Sequence, residues 1–343
     1  MSESENKKSI LVTGGAGYIG SHVVKLLGER GERIVVLDNL STGNEEAVLY
    51  GTLVKGDTGD EALVRRILEE HDVDTVMHFA AHTIVPESVE NPLKYYRNNT
   101  GNTLNLLQCC QAAGIDKLIF SSTAATYGIP EDDTKPCSEE LPTAPINPYG
   151  MSKLMSEHML KDLSYATDLR HVILRYFNVA GSDPDGRIGQ STHNATLLIK
   201  VAAEVALGKR EKLLVFGTDY ATPDGTGIRD YIHVSDLASA HLAALDYLRK
   251  GGQSTLVNCG YGKGFSVRQV IDATSRLNGA PLNVEEQPRR AGDPPALIAA
   301  VEKIHKTLDW QPKFDDLDVI VQTSLDWEKK ILAKTAEKQA GNT

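Results

Sequence analysis

Ser9-Ile-Leu-Val-Thr-Gly-Gly-Ala-Gly-Tyr-Ile-Gly20 carries two signals in one short stretch. Ser9–Thr13 holds the short apolar run Ile10-Leu-Val12, the pattern of a strand buried on both faces. Glycines follow at 14, 17 and 20, and an amphipathic stretch from Gly17 to Arg30 reads as a helix. Glycine permits a tight turn, close approach of backbone to a pyrophosphate, and close helix–strand packing. The positive end of the helix then faces the phosphates. Taken alone, the pattern also suits a turn that binds nothing.

The next strand narrows the reading. Arg33-Ile-Val-Val-Leu-Asp38 ends in a carboxylate 18 residues after Gly20. A carboxylate there accepts hydrogen bonds from the 2′ and 3′ hydroxyls of an adenosine ribose and repels a 2′-phosphate, so it selects NAD over NADP. No Arg lies between Asp38 and Gly43 to receive that phosphate.

Outward from this unit the alternation continues. Leu53–Lys55, Thr75–Phe79, Lys117–Ser121 and His171–Tyr176 read as strands; Asp60–Glu70, Pro92–Ala113 and Pro148–Tyr165 read as helices. Strands alternating with long helices mean βαβ units and a parallel sheet. The fold class is therefore α/β, a Rossmann-type doubly wound parallel sheet spanning residues 1–177. Residues 178–343 form a smaller C-terminal α+β substrate domain, with a segment near 230–260 returning to the first. In that half, Ala195–Leu207, Asp236–Arg249, Val267–Asn278 and Asp318–Lys334 read as helices, and Leu213–Phe216 and Thr255–Asn258 as strands. Residues after about Ala336 read as a frayed tail.

Composition sets the outer bounds. The 343 residues suit about two domains at roughly 150 residues each. Lys plus Arg number 36 and Asp plus Glu 46, a net charge of −10, which disfavours nucleic-acid and anionic-membrane surfaces. The four cysteines, Cys109, Cys110, Cys137 and Cys259, form neither a disulfide framework nor a C-x-x-C site. Met1–Lys8 lacks the apolar core of a signal peptide, and no apolar run nears ~18 residues. The expectation is a cytoplasmic protein.

The chemistry-bearing residues lie further along. Strand Lys117–Phe120 runs into Ser121-Ser-Thr-Ala-Ala-Thr126, a cluster of hydroxyls at a strand's carboxyl end. Downstream stands Asn147-Pro-Tyr-Gly-Met-Ser-Lys153, where Pro148 suits a helix start. Tyr149 and Lys153 then share one helical face. A free Tyr, with a pKa near ~10, is a poor base at neutral pH. A nearby ammonium and a positive nicotinamide ring both favour phenolate. Tyr149 can then exchange a hydroxyl proton while NAD exchanges a hydride. Asp57 follows the third strand and can face the adenine, and the small residues of Phe79-Ala-Ala-His-Thr83 let a cofactor lie on the backbone. His78 and His82 are four apart, but on a strand that spacing does not suit a metal, and no metal is expected. His193 and His233 read as packing or loop residues.

These residues resemble the extended short-chain dehydrogenase/reductase family, and within it the branch that inverts carbon 4 of UDP-hexoses. The likeness runs from about Ser9 to Lys330. It rests on Val12-Thr-Gly-Gly-Ala-Gly-Tyr-Ile-Gly-Ser-His22, Asn147–Lys153, Arg175-Tyr-Phe-Asn-Val-Ala-Gly181 and above all Asp224-Gly-Thr-Gly-Ile-Arg-Asp-Tyr-Ile-His-Val234. The resemblance implies tightly bound NAD, held by Gly14, Gly17, Tyr18, Ile19 and Gly20, by Asp38, Asn39, Leu40, Ser41, Thr42 and Gly43, and by Asp57 and Thr58. It adds Phe79, Ala80, Ala81, Thr83 and Asn98, then Thr123, Tyr149, Lys153, Tyr176 and Phe177. It assigns catalysis to Tyr149, Lys153 and Thr123. Tyr149 and Thr123 also touch substrate, with Asn178, Leu198, Leu214, Val215, Phe216, Arg229, Arg290, Asp293 and Leu297. In the implied reaction, UDP-glucose and UDP-galactose interconvert through a 4-keto sugar that turns before hydride returns. A homodimer through Pro92–Ala113 and Pro148–Tyr165 is implied too.

Three departures stand out. The family's usual Ser beside the Tyr is Thr123; a Lys common on the cofactor turn is Thr83; an Asn-Asn-Leu is Thr196-Leu-Leu198, leaving Asn194 or His193 to serve. At Leu297 the family pairs Tyr with plain UDP-hexoses and small residues with N-acetylated ones. Rival readings are a 4,6-dehydratase, a decarboxylase, an epimerase for UDP-uronates, UDP-pentoses or UDP-N-acetylhexosamines, and a binding protein that senses the cofactor without turnover.

Overall fold

The computed structural model describes residues 8–132, 135–192, 195–290 and 292–340. Seven parallel strands form one sheet in the order Thr255–Cys259, Arg170–Tyr176, Lys117–Ser121, Val73–His78, Ser9–Thr13, Arg33–Asp38, Thr52–Lys55. Ser9–Thr13 pairs with Arg33–Asp38 on one side and Val73–His78 on the other. The chain therefore builds the sheet first one way and then the other. The reversal at Ser9–Thr13 opens a crevice at the strands' carboxyl ends, where ligands bind in such sheets.

Strand side chains alternate between faces, and two cores result. Ile10, Val12, Val36, Met77 and Ile119 face helices Tyr18–Glu29 and Val234–Arg249. Leu11, Val35, Leu37, Val76, Leu118 and Phe120 face Glu61–Glu70, Asn102–Ala112 and Pro148–Ala166. Thus a helix and the edge strand Thr255–Cys259, both beyond residue 178, complete the main sheet. The rest of the second half combines helices with a set of small sheets. Asn178–Ala180 pairs with Tyr231–His233, Ile228–Arg229 lies between Phe265–Ser266 and Ala296–Leu297, and Leu213–Phe216 pairs with Val284–Gln287.

Three elements differ from expectation. Pro92–Ala113 is not one α-helix: a π-helical segment, Tyr96–Gly101, separates Pro92–Tyr95 from Asn102–Ala112. Such bulges concentrate at functional sites, and this one carries Asn98 and Asn99. The helix expected from Ala195 begins at Leu198. The expected frayed tail is instead the end of one long helix, Leu317–Ala340; Ala, Lys, Glu and Gln there are strong helix formers and let it propagate. Among the described residues, no helix is long and apolar enough to cross a membrane.

Candidate active site

A cavity of about 630 Å³ opens at the carboxyl ends of the strands, between the sheet and the small sheets. Its floor is the glycine turn. Gly14 has φ +71°, and a Cβ there would stand 2.5 Å from the backbone nitrogen of Ala80. Only glycine lets the first turn lie this close to the turn after Val73–His78. At Gly20 a side chain would strike the Gly14 carbonyl, so the helix starts tight against the loop. The result is a shallow backbone cradle of the kind a pyrophosphate fits.

Asp38 stands at one end of the cradle, almost buried. Its Oδ2 accepts from the Ala16 amide at 2.9 Å and its Oδ1 from the Leu40 amide at 2.8 Å. Those bonds fix the carboxylate and leave each oxygen a further lone pair for a hydroxyl. The residues present fit an NAD molecule: a backbone cradle for the phosphates and an oriented carboxylate for the ribose.

The helix Pro148–Ala166 places the reactive pair at the other end. Pro148 occupies its first turn, and the Asn147 side chain caps it by accepting from the Gly150 amide at 2.8 Å. Tyr149 is buried in the wall, edge-on to the Tyr95 ring. Burial pushes its phenol well above the usual range, Tyr176 adds to that, and a hydrogen bond with Thr123 pulls the other way. Thr123 leaves the strand Lys117–Ser121 and caps the short turn Ala124–Thr126 by accepting from the Ala125 amide.

Lys153 lies one turn beyond Tyr149, also buried, and is not in the wall itself. Its Nζ donates to the Ser121 carbonyl at 2.8 Å and sits over the Phe120 ring. Burial pulls its pKa down to about 7, opposed by Glu157. Both charged forms, phenolate and ammonium, are thus disfavoured by desolvation. Cationic charge brought into the site tips Tyr149 toward phenolate.

His78 is structural, while His82 stands in the cavity wall. His78 lies between the hydroxyls of Thr13 (2.6 Å) and Thr103 (2.9 Å), and burial lowers its pKa to about 3. Among the described residues, no group of three or more His, Cys, Asp or Glu is placed to hold a metal.

The matches to known proteins agree with this geometry. Residues 10–260 match the model of the NAD dependent epimerase/dehydratase family. The chain belongs to that family. It is 56% identical to a UDP-glucose 4-epimerase of Azospirillum brasilense over 323 residues, 94% of this chain and 92% of that protein. A solved UDP-glucose 4-epimerase from Brucella ovis in complex with NAD superposes with a TM-score of 0.90 at 47% identity, covering 93% of this chain and 98% of that one. The UDP-Glc/GlcNAc 4-epimerase of Campylobacter jejuni is similar at TM-score 0.83 and 52% identity, over 94% and 99%.

Most of the residues singled out from this epimerase-family sequence meet in the one cavity. Its wall includes Gly17, Tyr18, Ile19, Asn39, Ser41, Thr42, Asp57, Thr58, Phe79, Ala80, Ala81, Thr83 and Asn98, and beyond them Tyr176, Phe177, Asn178, Arg229, Asp293 and Leu297. Eight do not stand in it. Leu40 and Gly43 belong to the turn whose Asn39, Ser41 and Thr42 line it, and Lys153 is buried one helical turn beyond Tyr149. Leu198 opens its helix just past the wall residues Thr196 and Leu197. Leu214, Val215 and Phe216 form a strand outside it, and Arg290 stacks on the Phe216 ring at 3.8 Å. Asp57 reaches the wall, but its oxygens take Asn39 and Asn102.

Other wall residues were not among the site residues expected from the sequence. Ile146 and Asn147 precede the helix, Gln190 and Thr192 precede Leu198, and Glu87 pairs with Lys94 at 2.5 Å near Thr83. Asn147 alone had a signal, as a capping residue before a proline. His233 is buried; it caps Val234–Arg249 and contacts the Thr323 hydroxyl. His193 and Asn194 lie outside the described residues.

Proposed function

We propose that this chain interconverts UDP-glucose and UDP-galactose by reversible epimerisation at carbon 4, using a tightly held NAD. The observation that carries the reading is the pairing of Tyr149 and Thr123 at one end of a cavity whose other end holds the Asp38 cradle. When bound, NAD supplies the hydride acceptor and donor for carbon 4. Tyr149 takes the proton of the 4-hydroxyl and Thr123 orients it. Lys153 holds cationic charge behind Tyr149. Arg229, 3.6 Å from Asp293, faces the UDP part. Anchoring the diphosphate there leaves the sugar loose enough to present either face, so binding energy from the remote group serves the reaction. Thr123 is followed by Ala124 and Ala125, which leaves no added acid and base for a dehydratase.

We read the assembly as a homodimer and the site of action as the cytoplasm. The exposed Leu93, Leu104 and Met155 on the expected dimer helices support the first. The four free, buried cysteines agree with a reducing compartment.

The test is an assay with UDP-galactose and no added NAD, with the supernatant of the denatured protein checked for NAD. UDP-glucose formed at constant mass is the expected product. Loss of water or carbon dioxide assigns a rival activity, and absence of turnover and NAD together overturns the reading.

Asp38→Ala tests the cofactor end. Loss of a hydrogen bond to a charged group costs about 1.5–3 kcal/mol. Purified variant protein is expected to carry less NAD and to reject NADP less strictly. Unchanged NAD content with NADP still refused would remove Asp38 from the role.

Leu297→Ser tests the sugar end. Leu297 lines the cavity and packs beside Phe177 and Ala299. Forcing an N-acetyl group against it costs ~1–3 kcal/mol, roughly ten- to hundredfold in selectivity. UDP-galactose is expected to beat UDP-N-acetylgalactosamine in kcat/KM, and the Ser variant to narrow the gap. Equal values on the unmutated enzyme, or an unchanged ratio in the variant, would contradict this. The Campylobacter jejuni relative, named for both sugar types, makes the comparison pointed.

A further inference from the structure

Three of the residues facing the UDP-sugar region come from chain segments far apart: Asn178, Arg229 and Leu297. One residue outside the wall joins all three segments, by its side chain and its backbone together. Asp230, fully buried, follows Arg229 and points away from the cavity side. Its Oδ1 accepts from the Tyr261 amide at 2.9 Å. Its Oδ2 accepts from the Gly262 amide at 2.9 Å and the Ala299 amide at 3.2 Å. Its own backbone continues the join. The Asp230 amide donates to the Leu297 carbonyl at 3.2 Å, and the Asn178 amide donates to the Asp230 carbonyl at 2.9 Å.

The neighbourhood is shaped around the carboxylate. A Cβ on Gly260 would stand 2.6 Å from the Asp230 Oδ2. The strands concerned are only two or three residues long: Ile228–Arg229, Ala296–Leu297, Phe265–Ser266, and Asn178–Ala180 with Tyr231–His233. Ladders that short hold register poorly on their own. Three amides converging on one carboxylate supply the missing constraint, and bonds to a charged acceptor are about twice as strong as neutral ones.

We propose that Asp230 is the positioning residue of the nucleotide-sugar half of the site. It touches neither substrate nor cofactor. It fixes the spacing between the Arg229 guanidinium, the Leu297 side chain and the Asn178 side chain, and so sets substrate affinity and sugar fit without entering the hydride and proton steps. The inference rests on the reading of the cavity as a UDP-hexose site.

Asp230→Asn is the direct test. An amide has one acceptor oxygen, and its NH₂ would face amides that need an acceptor. The expected result is a KM for UDP-galactose raised at least tenfold, kcat within threefold, and NAD content unchanged. UDP alone should lose affinity by a similar factor in calorimetry. Asp236→Asn is the control. Asp236 is equally buried and takes the Tyr261 hydroxyl and the amides of Lys313 and Phe314, away from the three wall residues. It should lower the melting temperature with KM unmoved. If Asp230→Asn fails to fold, Gly260→Ala presses a methyl group on the same carboxylate and should raise KM in the same direction. A KM for Asp230→Asn no higher than for Asp236→Asn overturns the proposal. So does loss of NAD, kcat and melting temperature together, or failure of both site variants to fold, which would make Asp230 a folding residue only. Turnover of UDP-galactose by the unmutated enzyme decides the underlying reading separately.

Discussion

Tyr149→Phe should cut kcat by about 10²–10⁴-fold, the usual contribution of a general acid or base, while NAD stays bound. The substitution removes one hydroxyl and keeps the ring, which packs edge-on to Tyr95 at 6.5 Å between centroids. Burial and Tyr176 both hold the phenol protonated, and the Thr123 hydrogen bond is the one local influence in the other direction. Positive charge brought into the site would favour the proton's departure. Lys153, held near pKa 7 by desolvation, supplies part of that charge below this value and loses it above. Removing the hydroxyl ends the proton exchange whatever the state of Lys153. Rate and NAD content, read from one preparation, decide the matter. A Phe variant with more than about a tenth of the original kcat would show that another group moves the proton.

The sheet and the cofactor end were legible because their signals are local. A strand buried on both faces must hold a short apolar run, and Ser9–Thr13, Arg33–Asp38 and Lys117–Ser121 each hold one. The glycine turn and Asp38 sit at fixed distances from those strands, so naming the strands placed the residues. Tyr149 and Lys153 were legible for the same reason, a proline and a helical spacing. The substrate end was not. Ile228–Arg229 and Ala296–Leu297 are each held by partners far along the chain, and two residues have no periodicity to read. Asp230 shows the cost: in the sequence it is one aspartate of a loop-like motif, and its role exists only once residues 261, 262 and 299 are brought to it. The π-helical break at Tyr96–Gly101 did leave a mark, because Asn98-Asn-Thr-Gly-Asn-Thr103 is a run of weak helix formers inside Pro92–Ala113, but such a run does not by itself tell a widened turn from an ordinary one. Resemblance assigns Leu214–Phe216 and Arg290 to the substrate; the strand lies just outside the wall with Arg290 stacked on Phe216, and their part at the substrate stays a proposal.

The second large effect is on stability, at Glu157. This residue lies one turn past Lys153 on the same helix and is completely buried. Its carboxylate takes two bonds from Arg175, Nε to Oε1 at 2.9 Å and Nη2 to Oε2 at 2.6 Å, and a third from the Ser122 hydroxyl at 2.5 Å. Arg175 in turn lies over the Tyr127 ring, whose hydroxyl donates to Asn258 at 2.6 Å. The pair thus fastens the catalytic helix to strand Arg170–Tyr176 and to the hydroxyl-bearing end of Lys117–Ser121. Desolvating two charges is expensive, and their bidentate geometry offsets the cost only while both are present. Glu157→Met leaves a buried guanidinium without its carboxylate, and Arg175→Met leaves a buried carboxylate with a hydroxyl. Breaking such a pair costs about 3–5 kcal/mol. Each single variant should show that loss as a lower urea midpoint for the NAD-loaded protein. The double variant Glu157→Met with Arg175→Met should lose less than the sum, because no unpaired charge remains. Single variants within about 1 kcal/mol of the original, or strict additivity in the double, would mean that Lys161 and water carry the charge instead. Lys161 reaches the same carboxylate at 3.8 Å from the helix surface. That distance is longer than the Arg175 contacts, and the side chain is half-exposed, so it is a weak substitute. The expected penalty follows from that difference.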